Sequence, residues 1–141
     1  MPSLEDAILL AAQAHRGQRD KNGQPYILHV LRVMLRVETE DERMAAVLHD
    51  VVEDTPHTLD ELRALGYPDA VVAAVDGLTR RPGETYQAFV ARAAAHPIAR
   101  RVKLADLEDN MDVRRLADVT DADAVRIQRY LAAWRALKGM A

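Results

Sequence analysis

The chain has 141 residues, 49% hydrophobic and 29% charged, enough for one globular domain with a real core. Its 19 basic and 22 acidic residues give a formal net charge of −3 without a basic block, which argues against a binder of nucleic-acid polymer. Cysteine is absent, so disulfides, thiolate nucleophiles and thiolate metal sites are excluded, and any metal must be held by histidine and carboxylate. Ser3 followed by Glu5 and Asp6 predicts a helix start, with Leu9, Ala12 and Ile8 as an apolar stripe up to His15. Gly17 through Gln24 is polar with two glycines and reads as a loop. Pro25 suits the first turn of a second helix, whose buried face is Ile27, Val30, Leu31 and Met34, with His29 beside it.

Thr39 to Asp41 cap a third helix. Its apolar residues Met44, Val47, Leu48 and Val51 fall at i, i+3, i+4 and i+7, the spacing of one helix face. This predicts that His49 and Asp50 lie near the C-terminal end of a buried helix, which Thr55-Pro56 closes. Thr58 and Glu61 form a capping-box pattern for a short helix to Leu65-Gly66. Pro68 opens the next helix, with Val71, Val72, Val75 and Leu78 inward. An alanine-rich helix follows from Glu84 to Ala95, and Pro97 starts one carrying Lys103, Asp106 and Asn110. The last helix spans about Asp121 to Leu137, with Ile127, Leu131 and Trp134 inward. No strand pattern, repeat or dividing linker is visible, so residues 1–141 are expected to form one all-α bundle of about seven or eight helices. No apolar run approaches the ~18–20 residues of a membrane span and the N-terminus lacks a basic signal-peptide start, so the expected location is the cytoplasm, without a membrane partner.

Ionisable groups in a buried helix are costly unless paired or metal-bound, which makes His49-Asp50 the stretch to explain. Neighbouring helical residues point about 100° apart, so these two converge on one ion only where their helix end lies beside it, and other helices must supply further ligands. Lys103, Asp106 and Asn110, at i, i+3 and i+7, share one helix face. That face suits a phosphate-and-metal site, and equally a solvated surface. Together, His29, His49, Asp50 and Asp106 make a mixed nitrogen and oxygen set that suits Mn²⁺, Fe²⁺ or Zn²⁺ better than Mg²⁺. Buried polar bonds without a metal are the plain alternative. His15, His57 and His96 read as capping or surface histidines, Tyr86 as packing, and Arg80-Arg81 and Arg100-Arg101 as solvated.

The order His29, His49-Asp50, Asp106 resembles the H…HD…D pattern of HD-domain metal-dependent phosphohydrolases. The closer resemblance is to the hydrolase domain of RelA/SpoT-type alarmone (ppGpp) enzymes and their small stand-alone relatives. It is carried by His15-Arg16-Gly17-Gln18, Gly23 to His29, Leu48 to Thr55, Val75 to Thr79, and Lys103-Leu104-Ala105-Asp106 through Asn110-Met111. The resemblance implies that His29, His49, Asp50 and Asp106 ligate a divalent ion, usually Mn²⁺. It implies that Glu53 and Asp54 orient or deprotonate the attacking water, and that Lys21 and Asn110 contact a nucleotide. Lys103 is either part of that site or a structural neighbour of Asp106.

The chain also departs from the pattern. Asp20 stands where the alarmone hydrolases usually have a base-packing arginine, a role that Arg19 takes over only if the loop shifts. Their usual Arg-Leu-His-Asn-Met-Arg-Thr is here Leu107-Glu108-Asp109-Asn110-Met111-Asp112-Val113, and Val30 replaces a common proline. The expected partner is a small nucleotide, with guanosine 3′-pyrophosphates first. The alternatives are another nucleotide or phosphoester on the same scaffold, or a non-catalytic nucleotide-binding helical module. Oligomeric state is left open.

Overall fold

A computed structural model of the chain describes residues 1–139. The helices are α1 (Leu4–Ala14), α2 (Ile27–Leu35), α3 (Glu40–Leu48), α4 (Val51–Asp54), α5 (Leu59–Ala64), α6 (Asp69–Gly77), α7 (Tyr86–Ala94), α8 (Pro97–Asn110) and α9 (Asp121–Lys138). A 3₁₀ turn, Val113–Arg115, joins the last two. Among the described residues the one β-type pairing is an isolated antiparallel bridge between Arg19 and Pro25, and the architecture is all-α as expected. That bridge closes the polar loop and delays α2 until Ile27, two residues after Pro25.

The helix starts follow from their caps. Ser3, Thr39 and Thr120 each accept a hydrogen bond from the backbone N–H three residues on, and Asp6, Glu42 and Asp123 return it. Thr58 caps α5 from its side chain alone, because the Glu61 carboxylate is taken by His57 Nδ1 at 2.8 Å. His96 caps α8 through Nδ1, with Pro97 at the first helical position.

Central α3 contacts α1, α2, α6 and α8, and Met44 through Leu48 are all buried. Each Val, Leu or Met so enclosed contributes about 1.5–3 kcal/mol. Val71, Val72, Val75 and Leu78 complete this core from α6. A smaller cluster of Val90, Leu107, Ala133 and Leu137 fastens α7 and α9 to α8. The inward faces differ in places from the expected ones. Ala7 and Ala11 are buried in α1 while Leu9 is 57% exposed, because α3 approaches closely enough to select the small residues. In α9, Leu131 is exposed, and Ala133 and Leu137 make the contact.

The largest difference concerns the third predicted helix, which is not continuous. α3 ends at Leu48, His49 caps it, and Asp50 precedes the single turn α4. His49 Nδ1 donates to Ala46 O at 2.5 Å, while the His49 amide makes only a long 3.5 Å bond to the same oxygen. The α-type ladder is therefore interrupted at the two residues whose side chains must converge.

Candidate active site

Three parts of the bundle meet at one polar point inside it. His29 comes from the first turn of α2, His49 and Asp50 from the junction of α3 and α4, and Asp106 from the third turn of α8. All four are buried. His29 Nε2 lies 3.0 Å from Asp106 Oδ1 and 3.9 Å from Asp50 Oδ2. His49 Nε2 lies 3.0 Å from Asp50 Oδ2 and 3.4 Å from Asp106 Oδ1. One ligand atom from each of His29, His49 and Asp50 falls within 4.8 Å of the other two.

These residues fit a divalent cation. Ligand atoms held about 2.1 Å from one ion lie no more than about 4.2 Å apart, and the four measured separations satisfy that limit. The orientation of the imidazoles points the same way. His49 Nδ1 is fixed as a donor by the Ala46 carbonyl, so that in the neutral ring the lone pair is on Nε2. Although two carboxylates are near, neither sits along the ring direction of that buried Nε2, which makes no hydrogen bond. An orphaned buried nitrogen between two carboxylates is what a metal ligand looks like without its ion.

The electrostatics balance in the same way. Burial alone would lower the His29 pKa, but the bonds to Asp106 and Asp109 outweigh it and hold the ring above its ordinary value. Burial opposes charge on His49 too, and the Asp50 charge more than reverses this. For Asp106, burial is overcome by the Lys103 ammonium and the two imidazoles, and its carboxyl is driven well below the usual range. Lys103 is itself buried, with Nζ 3.2 Å from Asp106 Oδ2 and 4.8 Å from the Phe89 ring centroid. It therefore neighbours Asp106 directly. Tyr26 donates to Asp50 Oδ2 at 2.5 Å, and burial with the Asp50 charge keeps its phenol protonated.

Glu53 and Asp54 stand in α4, exposed to solvent. Partial loss of hydration, then the charge of Asp50, pushes both carboxyls above their ordinary values. Asp54 is aimed by Gln18 Nε2 at 3.1 Å, and Gln18 by His15 Nδ1 at 2.8 Å. Of the two expected readings, capping or surface, His15 takes the first as the C-cap of α1, and its ring is buried. Gly17, at φ +81°, turns the chain sharply, and the ring is buried 5.1 Å from that of Tyr26.

Beside His29 opens a cavity of about 320 Å³, whose lining includes Arg19, Lys21, Tyr26, Asn110, Arg115 and Arg126. The three residues expected to contact nucleotide, Arg19, Lys21 and Asn110, therefore border one space. Asn110 Nδ2 also donates to Asp106 Oδ1 at 3.2 Å, and Arg19 is held by the Gly23 carbonyl at 2.8 Å. Asp20 offers no free carboxylate. Oδ1 accepts from the Asn22 and Gln24 amides, and Oδ2 accepts from Arg115 at 3.2 Å. Tyr86 lies outside this lining, with its ring 4.6 Å from the Arg129 guanidinium.

Residues beyond those expected complete the site. Asp109 accepts from His29 Nδ1 at 2.6 Å, Arg32 Nε at 2.8 Å and Arg115 Nη1 at 2.9 Å, and these partners keep its carboxyl far below the usual range despite burial. The available signals were Asp109 three residues after Asp106 and Arg32 three after His29, each on the same helix face as a candidate ligand.

Comparison with known proteins places the chain in a family. The sequence model of the HD domain matches residues 7–135. The chain is 38% identical over 125 residues to a GTP pyrophosphokinase of Streptomyces coelicolor, covering 79% of this chain and 15% of that protein. It is 30% identical over 120 residues to a guanosine-3′,5′-bis(diphosphate) 3′-pyrophosphohydrolase of Aquifex aeolicus, covering 77% and 17%. The chain thus spans less than a fifth of the length of these relatives. A solved structure described as a metazoan ortholog of SpoT that hydrolyses ppGpp superposes with a TM-score of 0.80 at 28% identity, covering 99% of this chain and 89% of that one. No helix among the described residues is long and apolar enough to cross a membrane.

Proposed function

Because the chain belongs to the HD domain family, we propose that it is a metal-dependent phosphohydrolase that removes pyrophosphate from the 3′ position of a guanosine nucleotide of the ppGpp type. The observation that carries this reading is the pair of imidazoles whose Nδ1 atoms are both occupied, so that both Nε2 atoms face Asp50 and Asp106. Similarity to a protein named as a 3′-pyrophosphohydrolase and to a structure described as hydrolysing ppGpp supports the substrate class. His29, His49, Asp50 and Asp106 would hold the ion, Mn²⁺ by preference and Fe²⁺ or Zn²⁺ as substitutes. When bound, the ion supplies Lewis acidity toward a phosphoryl oxygen and activates water.

The chain's own groups do the rest. Asp54, aimed by Gln18, and Glu53 orient the attacking water or, one of them, accept its proton, and their raised pKa values bring them nearer the working range of a general base. Arg19, Lys21 and Asn110 border the cavity where the nucleotide would lie, and Lys21 there supplies positive charge for its phosphates. Purified protein with Mn²⁺, offered a panel of nucleotides, is expected to release pyrophosphate from guanosine tetraphosphate. Saturating Mn²⁺ with ligand binding and no release from any member of the panel would contradict the reading.

A second reading keeps the site and changes the substrate. Asp20, where a base-packing arginine is usual in the resembling enzymes, is tied to Arg115 and closes its own loop. Turnover of another nucleotide or phosphoester with none of guanosine tetraphosphate would decide for it.

Ion uptake is expected to depend on pH. Without the ion, His29 and His49 retain protons above their ordinary 6.5, and both must be neutral to ligate. Binding therefore expels protons, and affinity rises with pH above about 6.5 until both rings are neutral. Calorimetric Mn²⁺ titrations in buffers of different ionisation enthalpy count these protons. Uptake with no proton release would contradict the ligand assignment.

A further inference from the structure

Asp109 has no exposed surface and was not among the expected ligand or substrate-contact residues. Its two oxygens receive four donors: His29 Nδ1 at 2.6 Å, Arg32 Nε at 2.8 Å and Nη2 at 3.2 Å, and Arg115 Nη1 at 2.9 Å. Arg115 Nη1 also binds the Asp109 backbone carbonyl at 2.9 Å. A carboxylate enclosed between two guanidinium groups is ionised and can only accept. The His29 nitrogen facing it must therefore carry hydrogen. In the neutral ring that can ligate an ion, the lone pair is then on Nε2, the atom 3.0 Å from Asp106 and 3.9 Å from Asp50.

The two histidines of the site differ in how this is achieved. His49 is fixed by a backbone carbonyl, which no substitution of Ala46 removes. The equivalent bond of His29 depends on one side chain. We propose that Asp109 is a positioning residue of the metal site, which sets the tautomer and ring angle of His29 and strengthens it as a ligand. This rests on the reading of His29, His49, Asp50 and Asp106 as metal ligands. Arg32, one turn after His29 on α2, and Arg115, from the 3₁₀ turn, neutralise Asp109 from two sides, so the bond bridges α2 and α8 without an uncompensated buried charge. The position holds histidine in the pattern that the chain otherwise resembles, so the device belongs to this sequence.

The test is Asp109→Asn in the full chain, which keeps the shape and removes the charge and the acceptor-only character. Calorimetric titration with Mn²⁺ is expected to show about 10- to 100-fold weaker binding than wild type. Nitrogen-15 spectra of the Zn²⁺-loaded wild-type protein are expected to show His29 with hydrogen on Nδ1. Arg32→Gln loosens the same cluster but keeps the bond from His29 to Asp109, and should lower the melting temperature without a comparable loss of Mn²⁺ affinity. Equal Mn²⁺ affinity in wild type and Asp109→Asn would overturn the proposal, as would an equal loss in Arg32→Gln. Should Asp109→Asn not fold, the wild-type spectrum decides, since hydrogen on His29 Nε2 with Zn²⁺ bound elsewhere excludes the role. A wild-type protein that takes up neither ion would remove the proposed function as well, and so differs from a failure of this inference alone.

Discussion

Asp106→Ala is expected to leave the protein without a bound divalent ion and to lower nucleotide hydrolysis by about a thousandfold or more. The Lewis acidity of a bound ion is worth several kcal/mol in such reactions, and each 1.36 kcal/mol is about tenfold in rate. Asp106 bears the largest loss because Oδ1 lies near both imidazoles, at 3.0 and 3.4 Å, while Oδ2 faces the Lys103 ammonium at 3.2 Å. Deleting it also strands a buried Lys103, which costs roughly 3–5 kcal/mol of stability. His49→Ala should lose the ion and the activity in the same way, without stranding Lys103. Metal content by elemental analysis, phosphate release and thermal melting together make the check. Unchanged turnover in Asp106→Ala or His49→Ala would defeat the ligand assignment.

The carboxylates of α4 give the second large effect, with a different profile. Glu53→Gln and Asp54→Asn are each expected to lower kcat by about 10²- to 10⁴-fold, the usual contribution of a positioned general base. Both residues are exposed, and Asp54→Asn keeps an oxygen for the Gln18 bond, so melting should change little. Metal content should be retained, because the buried ligands are untouched. Removing the Asp54 charge weakens part of the repulsion that raises Glu53, so in Asp54→Asn the Glu53 carboxyl should titrate lower and the acid limb of the rate profile should move down in pH. Full activity in both variants at saturating Mn²⁺ would remove the proton-accepting role from α4. Loss of the ion in either would reassign that residue to the metal.

Much of the bundle is visible in the sequence because its helix boundaries are local. Ser3, Thr39, Thr58 and Pro97 mark starts through groups within three residues of themselves, and the structure begins helices next to each. The break at His49-Asp50 leaves no such mark. Both residues keep φ and ψ in the right-handed helical region, and only the loss of the normal amide ladder separates α3 from α4. The apolar spacing across Met44, Val47, Leu48 and Val51 runs through the break and hides it.

The four expected ligands were legible because their residue types and order are unusual, whereas their convergence is a tertiary fact. Asp109 illustrates the difference. In the sequence it is one more acid in Leu107-Glu108-Asp109-Asn110, and only the packing of α2 on α8 shows that it is fully buried against His29. His15 caps α1, one of the two roles expected of it, but its burial against Tyr26 is likewise a tertiary fact that the helix end alone does not show. Leu9 and Leu131 show the converse, because helical spacing names a stripe but the neighbouring helix selects which residues of it are covered.

Crystals of the full chain grown with Mn²⁺ and measured on both sides of the manganese absorption edge test the central claim most directly. The account predicts one strong anomalous peak within coordination distance of His29 Nε2, His49 Nε2 and oxygens of Asp50 and Asp106. A peak held by other residues, or none at saturating manganese, would contradict it.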